Sequence, residues 1–269
     1  MRVFALDTCF NACSVGLVDV DASRSAAPKP PEVLAHRHML MARGHAEALP
    51  DMMVSVLEAA IGGAANTGVT EAGVREAGDA PPPCDRIAVT RGPGTFTGTR
   101  VGLSAARALA LVWQVPVVGV GSLDAMALGA LSLLRNEPGH GEIPTSLAVV
   151  RDARRGDVYL QVFDVGQDGL PEARGQAQTV AVDKIAGSLG ADVRLFVGSG
   201  AALAREALAT HREPAALPAV AFEELEPDAL HVATLGVLRD AQQAPPSPFY
   251  ARPPDAKPQE GAALARRTA

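Results

Sequence analysis

Residues 91–100 read RGPGTFTGTR and lie between an apolar run at 87–90 and a run of small apolar residues at 101–113. The glycines and the proline allow the chain to leave a strand sharply and to begin a helix with exposed amide groups. This stretch therefore predicts a strand–loop–helix junction. Because a helix N-terminus attracts anions, phosphate binding is the first function that it suggests.

The spacing of this glycine loop, residues 91–100, matches no specific phosphate motif. It has no Gly-Lys-Ser/Thr ending, so the Walker A lysine is absent. Its glycines read GxGxxxG instead of GxGxxG, and no acidic residue closes a second strand about twenty positions later. Close packing of the helix on its strand would explain the glycines equally well, so both interpretations stay open.

Composition and charge exclude several classes of function. The 269 residues, 48% of them apolar, suffice for one large domain or two ordinary ones. A net charge of −6 and 4% aromatic residues argue against direct binding of RNA or DNA. The chain has no apolar run of about eighteen residues, and three cysteines (Cys9, Cys13, Cys84) stand at no framework spacing. We therefore expect a cytoplasmic protein that does not enter membranes.

Periodicity predicts a repeated α/β architecture. Strands near 3–7, 13–19 and 33–38 precede a helix that begins near Pro50 or is kinked one turn upstream of it. The second half repeats the order of the first, because Asp152 and Asp164 are spaced like Asp7 and Asp19, and a second glycine loop follows at 198–200. We predict two ribonuclease-H-like (actin-like ATPase) units, each a mixed sheet flanked by helices, at 1–138 and 139–245, with a tail at 246–269.

The two helices of the first half carry apolar stripes with two explanations each. The helix after Gly44 has a stripe at 49–57, and the helix after the glycine loop has a ridge of small residues at every fourth position from Gly98 to Ala110. A second apolar row on that helix comprises Val101, Ala105, Ala108 and Val112. For the stripe at 49–57, burial in the chain's own core is the commoner explanation, although its two methionines also suit a partner surface. For the helix after the glycine loop, burial in the core and contact with another subunit explain the pattern about equally well.

Few side chains suit catalysis or metal binding. Asp7 and Asp152 are candidate cleft acids, although capping of its own hairpin turn is favoured for Asp7 over a role in organising Mg²⁺. His36 and His38 share one face of a strand, with His45 further on, but no carboxylate follows at ligand spacing. Solvent-facing imidazoles are therefore favoured over a metal site, and we expect no metal in this chain.

Six segments together resemble the TsaB (YeaZ) family of tRNA threonylcarbamoyladenosine biosynthesis proteins, which has the actin-like fold. They are LDTCFNACSVGL (6–17), GHAEALP (44–50), RGPGTFTGTRVGLSAARALA (91–110), VPVVGVGSLDA (115–125), RDARRGDVY (151–159) and FYARPPDAK (249–257). The resemblance runs in order along nearly the whole chain. Two long Ala/Pro-rich segments, 21–31 and 64–83, depart from the family pattern and leave these motifs intact.

The resemblance implies a non-catalytic dimerisation and activator subunit. The complex it serves transfers a threonylcarbamoyl group to N6 of adenosine 37 in tRNAs that read ANN codons, giving t6A. A TsaD-like catalytic subunit, with a metal held by His-x-x-x-His, and a TsaE-like ATPase would be the partners. This chain has no His-x-x-x-His pair, so ATP, Mg²⁺ and the metal are expected on the partners and no cofactor on the isolated chain. The tRNA would bind only through the complex.

The resemblance also implies a contact surface on the first two helices, which would form a homodimer when the partner is absent. The residues predicted for it are Leu49, Met52, Met53, Val56, Leu57, Gly98, Arg100, Gly102, Leu103, Ala106 and Arg107. A vestigial nucleotide cleft would comprise Asp7, Thr8, Gly92, Gly94, Thr95 and Asp152. The alternative function is an ATP-dependent small-molecule kinase of the actin-like superfamily; a metallopeptidase lacks recognisable ligands.

Overall fold

The computed structural model describes residues 1–21, 30–61, 69–70, 73–74, 81–136, 143–240 and 244–252. Its first sheet has the strand order β3-β2-β1-β6-β7. These strands are β1 (Arg2–Asp7), β2 (Ala12–Asp19), β3 (Glu32–Leu40), β6 (Arg86–Thr90) and β7 (Val117–Val120), and a separate small hairpin comprises β4 (Val69–Thr70) and β5 (Gly73–Val74). The antiparallel hairpin β1–β2 places Asp7 opposite Ser14, while β6 and β7 add parallel strands.

The second sheet repeats this plan. Its order is β10-β9-β8-β12-β13, with β11 also paired to β9. Strand β8 is antiparallel to β9 and parallel to β12. The strands are β8 (Ser146–Asp152), β9 (Asp157–Val165), β10 (Pro171–Ala173), β11 (Gln178–Ala181), β12 (Leu195–Val197) and β13 (Ala219–Ala221). The predicted fold class, two mixed sheets flanked by helices, is confirmed.

Five α-helices flank the sheets within the described residues. They are α1 (His45–Ile61), α2 (Phe96–Trp113), α3 (Ser122–Asn136), α4 (Ala201–Ala209) and α5 (Ala229–Val237), with short 3-10 helices at Val182–Ser188 and Pro214–Ala216. Helix α1 begins five residues before Pro50, which lies exposed inside it. Of the two predicted alternatives, the start near this proline is therefore wrong, and the helix passes through it. Of the helices in these ranges, none has the length and apolarity needed to cross a bilayer.

Helices α3 and α5 connect the two units. Ala229 and Val232 of α5 share a core cluster with Val3 and Ala5 of the first sheet. Helix α3 contributes Ala125 and Leu128 to that cluster and, on its other side, Leu123, Met126 and Leu131 to a cluster with Leu147 and Phe163 of the second sheet. Because α3 is apolar on nearly every side, it can pack against both sheets at once. The units therefore interlock, and α5 packs on the first sheet although its residues fall within the predicted second unit, 139–245.

The Ala/Pro-rich segments predicted as irregular insertions lie mostly outside the described residues. Residues 22–29 of the first segment are not described, and of the second only the β4–β5 strands and residues 81–83 are. Of the predicted tail, 246–269, the structure describes residues 246–252.

Candidate functional site

The glycine loop uses its amide groups inside the protein. Thr95 caps helix α2 by accepting a hydrogen bond from Gly98 N at 3.1 Å, and its own amide donates to Cys9 O at 2.8 Å. A Cβ atom on Gly94 would lie only 2.6 Å from that same carbonyl oxygen. The loop is therefore packed against the turn that joins β1 to β2, and two of the amides expected to hold an anion are already occupied.

Thr8 explains the small-residue ridge of α2. Its hydroxyl donates to Gly98 O at 2.6 Å and accepts from Gly102 N at 3.0 Å. A Cβ atom on Gly98 would overlap Thr8 O, and one on Gly102 would lie 2.6 Å from Thr8 Oγ1. These glycines therefore allow the helix to approach its own β1–β2 turn, which confirms the close-packing interpretation of the loop and identifies an intramolecular partner.

Much of the predicted contact surface is consequently buried within the chain. On α2, Gly98, Gly102, Leu103 and Ala106 face the core. On α1, the residues Leu49, Met52 and Val56 pack in the same core cluster as Phe4, Leu6 and Ile87. The resemblance predicted that these side chains form a surface for a partner subunit. In the structure they face the first sheet instead, because their burial removes the apolar surface of the sheet from water. Met53 and Leu57 remain partly exposed.

The second apolar row of α2, together with two residues of the predicted contact surface on α1, is partly or fully exposed to solvent. Val101 and Ala105 of α2 are partly exposed, whereas Ala108 and Val112 are exposed. Leu111 and Val112 keep 74% and 64% of their surface accessible. Met53 and Leu57 of α1 pack against the same core cluster as the first half of this row. We call these six residues, Met53, Leu57, Val101, Ala105, Ala108 and Val112, the outer apolar row.

The tail covers the glycine loop from outside. Phe249 N donates to Arg91 O at 2.7 Å, and the carbonyl oxygen of Phe249 fills the space that a side chain on Gly92 would need. Gly92 has a φ of +106°, a conformation that favours glycine. Tyr250 stacks on Phe96 with ring centroids 5.6 Å apart. The predicted tail is thus an integral part of the loop's environment, which sequence reasoning missed.

The tail also holds both arginines that were predicted at the rim of the contact surface. Arg100 Nε donates to the Tyr250 hydroxyl at 2.8 Å, and Arg107 Nη2 donates to Pro246 O at 2.7 Å. Arg252 continues to the second unit, where its guanidinium lies 2.5 Å from Asp157 Oδ2. The only hint in the sequence was the motif FYARPPDAK itself, which carries aromatic and basic residues in a segment of no clear periodicity.

Asp7 is fully buried at the end of β1. Its Oδ1 accepts hydrogen bonds from Thr90 Oγ1 at 2.5 Å and from Cys9 N at 3.3 Å. Its Oδ2 has no hydrogen-bond partner among the described residues. Burial raises the pKa of Asp7 to about 7, opposed by the hydrogen bond from Thr90. This carboxyl group therefore changes charge near neutral pH, unlike an ordinary exposed aspartate.

Asp152, the predicted second cleft acid, has a different role. Its Oδ1 accepts from Arg154 N at 2.7 Å, and its Oδ2 lies 3.5 Å from the Arg154 guanidinium. The side chain thus stabilises its own β8–β9 turn, where Arg154 has a φ of +64°. Asp7 and Asp152 do not form a matched pair of acids.

A buried ion pair joins the two hairpins. Arg151 Nη1 lies 2.7 Å from Glu226 Oε1, and both side chains are almost completely buried. Glu226 Oε2 also accepts from Asn11 N at 3.1 Å, and the Arg151 guanidinium lies 4.5 Å from the centre of the Phe10 ring. Sequence reasoning missed this pair, because Glu226 lies in an acidic run typical of a solvated surface.

Comparison with known proteins agrees with this fold and these motifs. The family model described as "TsaD: tRNA N6-adenosine threonylcarbamoyltransferase" matches residues 65–237. An uncharacterized protein of Mycobacterium tuberculosis (strain H37Rv) is 31% identical over 257 residues, which cover 95% of this chain and 94% of that protein. The tRNA threonylcarbamoyladenosine biosynthesis protein TsaB of Escherichia coli is 31% identical over 170 residues. The chain belongs to the TsaB/YeaZ family.

The extent of these matches differs. The match to TsaB of E. coli covers 63% of this chain and 58% of that protein. The solved structure of YeaZ from Pseudomonas aeruginosa superposes over 93% of this chain and 99% of its own, with a TM-score of 0.61 and 23% identity. This superposition shows that the chain and YeaZ from P. aeruginosa share one fold.

Proposed function

We propose that this chain is the non-catalytic, activating subunit of the complex that makes t6A in tRNA. It acts by binding a TsaD-like catalytic subunit and supporting its active conformation. The family carries this proposal, because the E. coli relative is named a tRNA threonylcarbamoyladenosine biosynthesis protein. The match to the TsaD family model adds a second argument: paralogues of one fold can pair through equivalent surfaces.

The outer apolar row supports a partner surface on α1 and α2. Met53 and Leu57 on one helix and Val101, Ala105, Ala108 and Val112 on the other form the solvent side of a helix pair whose inner side covers the sheet. Single exposed apolar residues are common, but a row across two adjacent helices is typical of a helix-packing interface. We propose that the catalytic subunit docks here, and that a second copy of this chain does so when that subunit is absent.

The glycine loop supports a role without nucleotide chemistry. Thr95 N and Gly98 N have internal partners, and Phe249 O occupies the outer side of Gly92. Phosphate binding by this loop would require the tail to leave and these hydrogen bonds to break. We therefore propose that ATP hydrolysis and the transfer reaction belong to the TsaE-like and TsaD-like partners, and that tRNA binds only to the assembled complex, since this chain carries a net charge of −6.

Co-purification of the full chain with the TsaD-like protein of the same organism tests this proposal. Val112→Asp places a charge in the outer apolar row, and we expect at least a tenfold loss of affinity, because a buried unpaired charge typically costs several kcal/mol. The fold should be unaffected, since Val112 is exposed. Binding of the Val112→Asp variant at wild-type strength would refute the surface.

Leu203→Asp provides a matched control for this experiment. Leu203 is a similarly exposed aliphatic residue, but it lies on α4 in the second unit. We expect this variant to bind like the wild type. Equal losses in both variants would instead indicate a general effect of added negative charge and would contradict the assignment to α2.

The alternative function, an ATP-dependent small-molecule kinase, depends on one observation. The Oδ2 of Asp7 has no hydrogen-bond partner among the described residues, and its carboxylate could receive the proton of a substrate hydroxyl if the residues that bury it moved aside. ATP turnover by the isolated chain, lost in Asp7→Ala, would favour the kinase. Turnover that appears only with the partners present would favour the activator.

A further inference from the structure

Three metal-ligating side chains meet where the edge strand β3 passes the start of helix α5. His36 and His38 are two positions apart on β3 and so lie on one face of the strand. Asp228 is the N-cap residue of α5 and comes from the other end of the chain. The sequence offered no carboxylate near the two histidines, but the fold supplies one, whereas His45 is not part of this cluster.

The separations within the cluster fit one bound ion. His36 Nε2 lies 3.1 Å from Asp228 Oδ1, and His38 Nδ1 lies 3.2 Å from Asp228 Oδ2. The three ligand atoms all lie within 4.8 Å of one another. Ligand atoms around a tetrahedral zinc ion are about 3.3 Å apart, given metal–ligand bonds of roughly 2.0–2.1 Å. Small side-chain rotations are therefore enough to direct both imidazoles and the carboxylate at a common point.

Neighbouring groups fix the ligands in place. Asp228 Oδ1 accepts from Leu230 N at 2.8 Å as part of the helix cap. Ser14 Oγ accepts from Ala229 N at 2.9 Å and lies 3.4 Å from His36 Nε2. The hydrogen bonds from Leu230 N and Ala229 N position Asp228 and the start of α5 before the ion arrives, which reduces the entropic cost of binding. A bound ion would replace the contact between Ser14 and the ligand atom Nε2 of His36. The cluster is thus held by the β1–β2 hairpin as well as by its own strand and helix.

The cluster is accessible and its chemistry is selective. The three side chains keep between 18% and 27% of their surface exposed, so an ion can enter and water can supply a further ligand. Two imidazole nitrogens and one carboxylate suit zinc and related transition-metal ions, whereas Mg²⁺ and Ca²⁺ prefer oxygen ligands throughout.

We propose that His36, His38 and Asp228 form a site for a divalent transition-metal ion of the zinc class. The bound ion links the edge strand β3 to helix α5 and stabilises the first unit. The site is separate from the outer apolar row and from the glycine loop, so its occupancy does not depend on the proposed activator function.

Isothermal titration of the chelator-treated full chain with zinc chloride tests this site. We expect about one ion per chain and a rise in the thermal unfolding midpoint with zinc concentration, since a ligand that binds only the folded state stabilises it. His38→Gln removes one of the three ligands, so it should weaken binding by about tenfold or more and remove the zinc-dependent rise. Asp228→Asn should also weaken binding while it keeps the helix cap, because asparagine caps helices as well as aspartate does.

His211→Gln is the control, because His211 lies exposed beyond α4 and outside the cluster. This variant should bind zinc like the wild type. Absence of binding at about 100 μM zinc, well above the Kd of an ordered three-ligand site, would overturn the proposal. So would unchanged affinity in His38→Gln, or an equal loss in His211→Gln.

Discussion

Hairpins β1–β2 and β8–β9 occupy equivalent places in their sheets, and an aspartate ends the first strand of each. The surroundings of Asp7 exclude solvent. Its carboxyl group is fully buried, and the adjacent Thr8 forms hydrogen bonds to Gly98 and Gly102 of helix α2. The side chain of Asp152 is partly exposed to solvent, and its carboxylate accepts a hydrogen bond from Arg154 N in its own turn. The same topology thus supports two different environments.

The two hairpins share their topology but differ in the side chains at the strand ends. Strand order and hairpin register are shared, because they follow from apolar patterning and backbone hydrogen bonding. The residues at the strand ends are free to differ. Thr8 has a hydroxyl that bonds to α2, whereas Ala153, the equivalent residue, has none, and the second glycine loop is held through Val150 O and Gly200 N at 3.0 Å. The duplicated fold therefore does not imply a pair of equivalent acids.

The largest effect on stability is expected at the buried ion pair between Arg151 and Glu226. Arg151→Ala leaves Glu226 buried with Asn11 N as its remaining described partner, and we expect a loss of about 3–5 kcal/mol in the free energy of unfolding. Urea denaturation followed by circular dichroism measures it. Arg154→Ala, which breaks an exposed pair on the same hairpin, should cost less than about 1 kcal/mol. Equal losses would show that burial does not distinguish the two pairs.

The buried carboxyl group of Asp7 in the first hairpin should make the free energy of unfolding depend on pH. The pKa of Asp7 is about 7 in the folded state, above the ordinary aspartate value of 3.8, so folding favours the protonated form. The stabilisation is complete below pH 4 and is lost as the pH rises to 7, by up to about 4 kcal/mol at roughly 1.4 kcal/mol per pH unit.

Asp7→Asn should remove this slope. Between pH 4 and pH 7 the free energy of unfolding of the wild type should fall relative to that of the variant, and at pH 8 the variant should be the more stable protein. Urea denaturation of both proteins across this range gives the difference directly. A difference that stays constant with pH would mean that Asp7 is charged in the folded state throughout.

The close approach of α2 to the first hairpin gives the next prediction. Gly98→Ala forces a methyl group onto Thr8 O, and we expect a loss of about 1–3 kcal/mol. Gly187→Ala is the control, since a Cβ atom there meets nothing within 4 Å, and it should change stability by less than about 0.5 kcal/mol. If Gly98→Ala were equally harmless, the helix would not be held tightly at Thr8.

The smallest effect is expected at the second acid. Asp152→Asn keeps an oxygen that can accept from Arg154 N, and the side chain is partly exposed. Stability should therefore change by less than about 0.5 kcal/mol. Measured beside Asp7→Asn, this variant decides whether the two hairpins are as unlike as their environments indicate.

Sequence reasoning predicted the architecture better than the exposure of individual residues. The strands of both hairpins, the helix after the glycine loop and the order of elements follow from apolar periodicity and from glycine and proline positions, which act locally. The stripe at Leu49, Met52 and Val56 was equally periodic, yet periodicity does not say whether the surface it faces belongs to the same chain. The structure shows that it faces the chain's own sheet.

The glycine loop shows which features the sequence determined and which only the tertiary structure decided. By itself the sequence determined that residues 91–100 join a strand to a helix, because glycine allows such sharp turns, but it left anion binding and close packing as equal explanations of the glycines. Tertiary structure alone decided that Thr8 fills the contact, that Phe249 covers the loop, and that Asp228 lies beside His36 and His38. Such contacts join residues far apart in the chain, and their energies depend on burial and distance, which no local pattern encodes.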